Sequence, residues 1–455
     1  MILIKKLAEV CFSSYWYAMT IKRAPGAFKK TSILEEFQYK RKEEIEKTQF
    51  EMLKELLRNA FTNSPFYHER LSSIQFHPLD MNDWKDFAKI PILKKRDIQL
   101  KLDNIVSKKA NSFSLIKDAT GGSTGEPLIF YHDRVTKEWF EACDIFVKRW
   151  WGIKPWSKKA ILWGADKDIP EMTNKEKLKL KLERIQFLNS FNMNAYIMQH
   201  YAKVIQKLNP EYIQGYASSL YLFARFLKEK NVDLRKPKAI RSSAETLNNY
   251  QRHLIEEVLG NNLYNFYGSR EIPNIAAECP AHKGLHILSP IRYVEVLSSN
   301  GEKVNPGEPG KIVVTDLVNR SMPFIRYEIG DIGAMAENHC TCGRTFPLLK
   351  EIRGRESDFI QTRDGKYIHG EFFTHLFYGL EGIAKFQVYQ KDLTSIIIFI
   401  VKYGEIKPDG LNRVKKKIRD RVGIGSEVMI SFVDEIPIPK SGKHRFTISE
   451  VPPVF

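Results

Sequence analysis

Cysteine is scarce, with five in 455 residues. That is too few and too scattered for a disulfide scaffold. No uncharged apolar run reaches membrane-spanning length. The apolar stretch from Leu7 to Ile21 follows Lys5-Lys6 and contains Glu9, without the clean apolar core and small-residue cleavage site of a secretion signal. It is expected to form a helix packed on the protein or resting on a membrane surface, and a cytoplasmic location is the expectation that follows. Negative charge is also in deficit: 54 Asp and Glu stand against 71 Lys and Arg, a formal net charge of +17. The basic residues fall in short runs, Lys94-Lys95-Arg96, Lys175 to Arg184 and Lys415-Lys416-Lys417, and no nucleic-acid motif accompanies them. Nucleic acid is therefore not an expected partner, whereas attraction to an anionic membrane surface or to anionic small molecules is. Internal repeats and low-complexity tracts are absent. An apolar content of 43% supports a large core, and the length suggests two or three domains.

One stretch stands out, Thr120-Gly121-Gly122-Ser123-Thr124-Gly125-Glu126-Pro127, followed by Leu128-Ile129-Phe130-Tyr131. Glycines let successive amide N–H groups point into one concavity, and hydroxyls add donors. This composition suits a cradle for a nucleotide triphosphate. No Lys-Ser/Thr pair closes the loop, so it is not a P-loop. An ordinary surface loop has a similar composition.

Apolar segments then alternate between helix and strand. Ala160 to Trp163, Tyr212 to Gln214 and Ile240 to Ser243 read as strands. Leu220 to Lys230 and Gln251 to Leu259 read as helices, the latter ended by Gly260. Residues 35–60 read as one long helix ended at Pro65. From about 285 to 335, Tyr293-Val294-Glu295-Val296 and Lys311 to Thr315, separated by Gly and Pro turns, read as antiparallel strands. Beyond Gly354, strands at Phe386 to Tyr389, Ser395 to Val401 and Glu427 to Val433 surround a helix at 411–422. The expected fold class is α/β: a large N-terminal domain, 1–354, of layered mostly parallel sheets plus a distorted antiparallel section, and a small mobile C-terminal α+β domain, 355–455, with its hinge at about 355–358.

Four further motifs join the glycine loop: Tyr267-Gly268-Ser269-Arg270-Glu271, Arg326-Tyr327-Glu328-Ile329-Gly330-Asp331, Gly354-Arg355 with Asp358, and Pro437-Ile438-Pro439-Lys440-Ser441-Gly442-Lys443. In this order and spacing the chain resembles the adenylate-forming enzymes, which include acyl-CoA ligases. Met322-Pro323-Phe324-Ile325-Arg326-Tyr327 narrows the resemblance to the phenylacetate–CoA ligase-like branch, including its relatives in capsular polysaccharide gene clusters. It covers roughly residues 50–455.

The resemblance implies ATP-dependent activation of a carboxylic acid as an acyl-adenylate, then transfer to CoA or to an amine acceptor. It assigns Glu271 to Mg2+, Asp331 to the ribose hydroxyls, Arg355 to ribose and phosphate, and Lys443 to the reacting carboxylate and α-phosphate. Thr120, Gly121, Gly122, Ser123, Thr124 and Gly125 would cradle phosphate. Tyr267, Gly268 and Ser269 would flank the adenine, the tyrosine by stacking, with Ser243, Ala244 and Glu245 on its other side. Trp163, with Gly164 beside it, and Tyr216 and Ala217 would line the acyl pocket, a hint of a flat or aromatic acid. Either a monomer or a homodimer satisfies these roles. Glu126, Glu328-Ile329 and Ser357 depart from the family pattern, and the altered Glu126 and Glu328 keep a nucleotide-binding module without turnover as an alternative.

Cys279, Cys340 and Cys342, in a Cys-x-Cys-Gly knuckle and a Cys/His pair, have the character of zinc ligands. Spacing favours His282 as the fourth, whereas similar patterns in the resembling branch favour His286. The expected role is structural. Reduced, partly buried thiols are the alternative.

Overall fold

The computed structural model describes residues 2–110, 115–120, 128–163, 173–190, 193–247, 249–298, 300–353, 359–369, 372–373, 376–377, 380–402, 404–423, 426–436 and 446–451. Six helices open the chain: α1 (Ile2–Arg23), α2 (Ala27–Phe37), α3 (Lys42–Asn63), α4 (Pro65–Ser73), α5 (Trp84–Ala88) and α6 (Lys95–Ile105). The single helix expected over 35–60 is thus broken at residues 38–41. Arg41 is extended and starts α3, its N–H donating to Glu44 Oε2 at 3.2 Å. The expected end before Pro65 holds, since α3 stops at Asn63, but Pro65 also opens a new helix. It is the first residue of α4, where a proline's missing N–H costs nothing, and Ser64 before it is the N-cap.

A hairpin of β1 (Ile116–Ala119) and β2 (Ile129–His132) leads into α7 (Arg134–Trp150). Asp133 caps that helix, accepting from the Thr136 N–H at 2.7 Å. Strand and helix then alternate: β3 (Lys159–Trp163), α8 (Asn174–Leu182), β4 (Ile185–Asn189), α9 (Ala195–Leu208), β5 (Tyr212–Tyr216), α10 (Ala217–Glu229), β6 (Ala239–Ser243) and α11 (Asn249–Leu259). Gly260 follows α11 with φ +105°, a conformation that ends a helix cheaply only at glycine. Next come β7 (Leu263–Tyr267), β8 (Ala276–Glu278), β9 (Leu285–Ile287), β10 (Arg292–Leu297), β11 (Gly310–Asp316), β12 (Tyr327–Met335) and β13 (Leu348–Arg353). The C-terminal part holds β14 (Phe359–Gln361), β15 (Tyr367–His369), β16 (Ile383–Asp392), β17 (Ser395–Lys402), α12 (Pro408–Val422), β18 (Glu427–Phe432) and β19 (Thr447–Ser449).

The chain forms two compact units. The first comprises Met1–Thr120, Leu128–Trp156 and Tyr264–Gly354. Its strands run β10-β11-β12-β13-β9-β8-β7, antiparallel throughout. Leu53, Leu57, Phe66, Ile98, Ile312 and Phe324 are among the residues that fill its core.

The second unit comprises Gly121–Pro127, Ser157–Leu263 and Arg355–Phe455. Within 157–263 the order β4-β3-β5-β6 is parallel, as the helix–strand alternation requires. Within the C-terminal segment the order is β18-β17-β16-β19, with an antiparallel centre and parallel flanks. Leu411, Val414, Ile418 and Val422 recur along α12 at helical spacing and are buried in that segment's own core. No described helix is long and apolar enough to cross a membrane.

Candidate functional site

Two acids and two tyrosines in the first unit are tied together crosswise. β7 ends at Tyr267, whose hydroxyl donates to Asp331 Oδ2 on β12 at 2.9 Å. β12 begins at Tyr327, whose hydroxyl donates to Glu271 Oε1, in the loop after β7, at 2.9 Å. Each segment therefore supplies the donor for the other's carboxylate.

The local backbone explains how the acids are presented. At Gly268 a Cβ would stand 2.8 Å from the Asn274 nitrogen, so only glycine permits this fold-back. Ser269 fastens the turn: its N–H donates to Ile272 O at 3.1 Å, and its hydroxyl accepts from the Ile272 N–H at 3.0 Å. On β12, Glu328 opposes Val313 while Ile332 opposes Lys311, so extra residues bulge between them. Gly330 has φ +85° there, and Asp331 sits in the bulge.

Glu271 is only 7% exposed, and among the described residues its carboxylate has no cationic partner. A nearly buried carboxylate is costly without a compensating positive charge. A divalent cation with oxygen preference meets that need, so the residues present fit Mg2+.

His132, at the end of β2, supports the same loop from behind. Its Nε2 donates to the Glu271 carbonyl at 2.9 Å; a carbonyl only accepts, so the proton is on Nε2. Burial lowers its pKa to about 4, against the opposing pull of that hydrogen bond. The folded protein therefore resists protonation that the unfolded chain accepts near 6.5. The stability this histidine contributes is complete above about pH 6.5 and is lost progressively as pH falls toward 4. One such group gives a slope of about 1.4 kcal/mol per pH unit. Denaturation followed from pH 7 to 4 is expected to show a shallower decline in His132→Gln than in the parent; an unchanged slope would refute the assignment.

Thr120 closes the base of the glycine loop. Its N–H donates to Leu128 O at 2.9 Å, and its hydroxyl accepts from the Leu128 N–H at 3.0 Å. Gly121, Gly122, Ser123, Thr124, Gly125 and Glu126 lie outside the described residues, as do Gly164, Arg355, the hinge at 355–358 and Lys443.

In the second unit, Ser243 ends β6 and Ala244 has φ +69°. Glu245 turns to the start of α10, where its carboxylate accepts from the Ser218 N–H at 2.8 Å and the Ser218 hydroxyl at 3.1 Å. An anion at a helix N-terminus is favoured by the dipole, so this acid has a structural task. Trp163 and Tyr216 stack with ring centroids 4.2 Å apart. Tyr216 and Ala217 are buried.

Cys279, His286, Cys340 and Cys342 converge in the first unit, their ligand atoms all within 4.8 Å of one another. His282 lies outside this group. It has φ +51°, stacks on Tyr264 at 5.2 Å and places Nδ1 3.1 Å from Glu278 Oε1. Burial pushes the Cys279 thiol up to about 12 and raises Cys340 as well. Burial opposes ionisation of Cys342 too, but hydrogen bonds from Arg344 and the neighbouring thiols hold it below its ordinary value.

Sequence reasoning gave Tyr327 and His132 no role. Tyr327 was visible inside the Arg326–Asp331 motif, but its partner is 56 residues away. His132 carried no signal beyond its position after the glycine loop.

Residues 360–450 match the family described as the CapK C-terminal domain. Over 405 residues the chain is 27% identical to Protein CapK of Staphylococcus aureus, covering 86% of each. It is 23% identical over 433 residues to the phenylacetate-coenzyme A ligase of Thermus thermophilus, covering 89% of this chain and 96% of that one. Among solved structures it is similar to 2-hydroxyisobutyryl-CoA ligase in complex with 2-HIB-AMP and CoA in the thioesterification state. The TM-score is 0.64 at 19% identity, covering 90% of this chain and 91% of that one. The chain is a homologue of CapK and of the phenylacetate-coenzyme A ligases, built on the adenylate-forming ligase fold.

Proposed function

We propose that this protein is an AMP-forming ligase that activates a carboxylic acid with ATP and transfers the acyl group to CoA. The observation that carries this reading is the crossed pair Tyr267–Asp331 and Tyr327–Glu271, two carboxylates fixed by neutral donors on adjoining segments. Relatives named as CoA ligases, matched over most of their length, support it. In the first half-reaction a carboxylate oxygen of the acid bonds to the α-phosphorus and pyrophosphate departs. In the second, the CoA sulfur bonds to the acyl carbon, loses its proton, and AMP departs.

Glu271 would hold Mg2+, which supplies charge neutralisation for the phosphates. Asp331, kept in place by Tyr267, would accept from the ribose hydroxyls. Thr120 to Gly125, Tyr267, Gly268, Ser269 and the Ser243–Glu245 loop would surround the nucleotide, and Arg355 and Lys443 would carry positive charge to the phosphates from a lid comprising 355–455. Trp163 and Tyr216 would give the acyl pocket a flat wall. The relation to the capsular polysaccharide branch supports a place in polysaccharide biosynthesis, and the net charge of +17 suits an acidic or glycan-linked substrate. Cys279, His286, Cys340 and Cys342 would hold a structural Zn2+ away from this chemistry.

Pyrophosphate exchange with a panel of carboxylic acids tests the first step, and adenylates trapped from that panel identify the acid by mass. AMP release that requires CoA supports the thioester; CoA-independent release with an amine makes the enzyme an amide ligase. If no acid supports exchange, the protein is not an adenylating enzyme. Tyr267→Phe removes one hydrogen bond to a charged acceptor, worth about 1.5–3 kcal/mol. The expected result is a KM for ATP about 10- to 100-fold higher with kcat little changed. A kcat that falls while KM holds would contradict the positioning role.

We place the protein in the cytoplasm, with peripheral attraction to an anionic membrane through α1. Val10, Tyr17 and Ile21 are exposed on that helix, near Lys22 and Arg23. Co-sedimentation with anionic but not neutral vesicles is the expected result.

A further inference from the structure

The four-ligand cluster has the dimensions of a metal site. Cys279 Sγ and Cys340 Sγ are 3.6 Å apart, and Cys342 Sγ is 3.3 Å from His286 Nε2. A tetrahedral Zn2+ with its usual bond lengths separates two sulfurs by about 3.8 Å and a sulfur from a nitrogen by about 3.5 Å. A disulfide would need about 2.05 Å. His286 Nδ1 lies 3.3 Å from the Phe346 carbonyl. Since a carbonyl only accepts, Nδ1 carries the proton and the Nε2 lone pair faces the thiols. The Ala281 N–H donates to Cys279 Sγ at 3.4 Å, an orienting contact outside the ligands themselves. Three sulfurs and one imidazole form a closed, soft ligand set that suits zinc.

What this cluster grips is more informative than its composition. Cys340 and Cys342 lie in the connection from β12 to β13, and the residues just after them reach the α2–α3 joint. Arg344 Nε donates to Gln38 Oε1 at 2.9 Å. The Thr345 N–H donates to Gln38 O at 2.9 Å, and the Thr345 hydroxyl donates to Lys40 O at 2.6 Å. Gln38 Oε1 also accepts from Trp150 Nε1 at 3.0 Å. The Arg344 guanidinium lies 4.5 Å from the Trp150 ring centroid, and Trp150 meets His286 edge-on at 5.6 Å. The carbonyls at Gln38 and Lys40 are those that the break at 38–41 removes from helical pairing, and the knuckle supplies donors for them.

We infer that a zinc ion at this cluster is the clasp that holds the break between α2 and α3, by fixing the loop that carries Arg344 and Thr345. The inference rests on the zinc assignment above. The α1–α2 pair has independent anchors on α7, with Lys30 2.6 Å from Glu138 and Arg23 2.9 Å from Glu141. Loss of the metal therefore loosens the joint and not the whole N-terminal packing.

The experiment is metal analysis of the purified full-length protein followed by hydrogen–deuterium exchange before and after zinc is stripped and restored. The expected results are one zinc per chain, at least tenfold faster exchange at 38–44 and 336–347 after stripping, little change at 27–34, and recovery on adding zinc. A protein that neither contains zinc nor takes it up overturns the metal assignment and the clasp with it. A stripped protein whose joint exchanges as slowly as before overturns the clasp while leaving the zinc in place. Arg344→Ala/Thr345→Val, which spares all four ligands, is expected to retain one zinc yet lose protection at 38–44. Unchanged protection in that variant also overturns the clasp.

Discussion

Glu271→Gln lowers pyrophosphate exchange by about 10²–10³-fold, the range seen when one preorganised charge-stabilising group is removed from an active site. The change keeps the shape of the side chain and an oxygen that can still accept from the Tyr327 hydroxyl, 2.9 Å away in the parent. It keeps the Glu271 carbonyl that accepts from His132 as well. What it removes is the negative charge that would attract Mg2+, so exchange should also require more magnesium. The charge in the parent is nearly buried, so neutralising it relieves desolvation, and the variant should be at least as stable as the parent. Loss of exchange with retained stability separates a functional role from a structural one. Lys443→Ala is expected to match it in exchange. Should Glu271→Gln exchange pyrophosphate at the parental rate across the magnesium range, the placement of the metal at Glu271 is wrong.

The parallel part of the fold could be read along the chain because each unit of it is local. β3, β5 and β6 are short apolar runs followed by helices, and Gly260 marks a stop that backbone sterics alone predict. Glu271 and Asp331 were likewise visible as residues in motifs. The pairing of each acid with its donor was not, because Tyr327 and Tyr267, though present in the same motifs, each reach across the sheet to an acid on a distant segment.

The break at 38–41 was missed for the same reason. Nothing local in this Glu- and Lys-rich stretch forbids a helix, and the groups that satisfy the broken turn come from Arg344 and Thr345, some 300 residues on. Counting residues favoured His282 over His286 beside Cys279. Strand pairing decides otherwise: Leu348 opposes His286 on β9, which turns that imidazole to the β12–β13 connection, while the left-handed His282 turns to Glu278.

Asp316→Ala should destabilise the first unit by about 3–5 kcal/mol, the cost of leaving a buried charge unpaired. Arg292 and Asp316 face each other across β10 and β11, both side chains fully buried, with Nη1 2.6 Å from Oδ1. Nη1 also donates to Ile291 O at 3.2 Å, and Nη2 donates to Pro273 O at 3.0 Å. A denaturation midpoint shifted by less than about 1 kcal/mol would mean that water or another acid takes the place of Asp316. Because replacing both members of a buried pair by apolar groups is often neutral, Arg292→Met/Asp316→Leu should recover most of the stability that either single change loses. It should not recover activity. Pro273 belongs to the loop that follows Glu271, and the arginine is that loop's anchor to the sheet. Without Nη2 the loop is free to shift, and a misplacement of about 1 Å in a catalytic constellation can cost around 10²-fold. A double variant that is both stable and fully active would show that the buried pair serves folding alone.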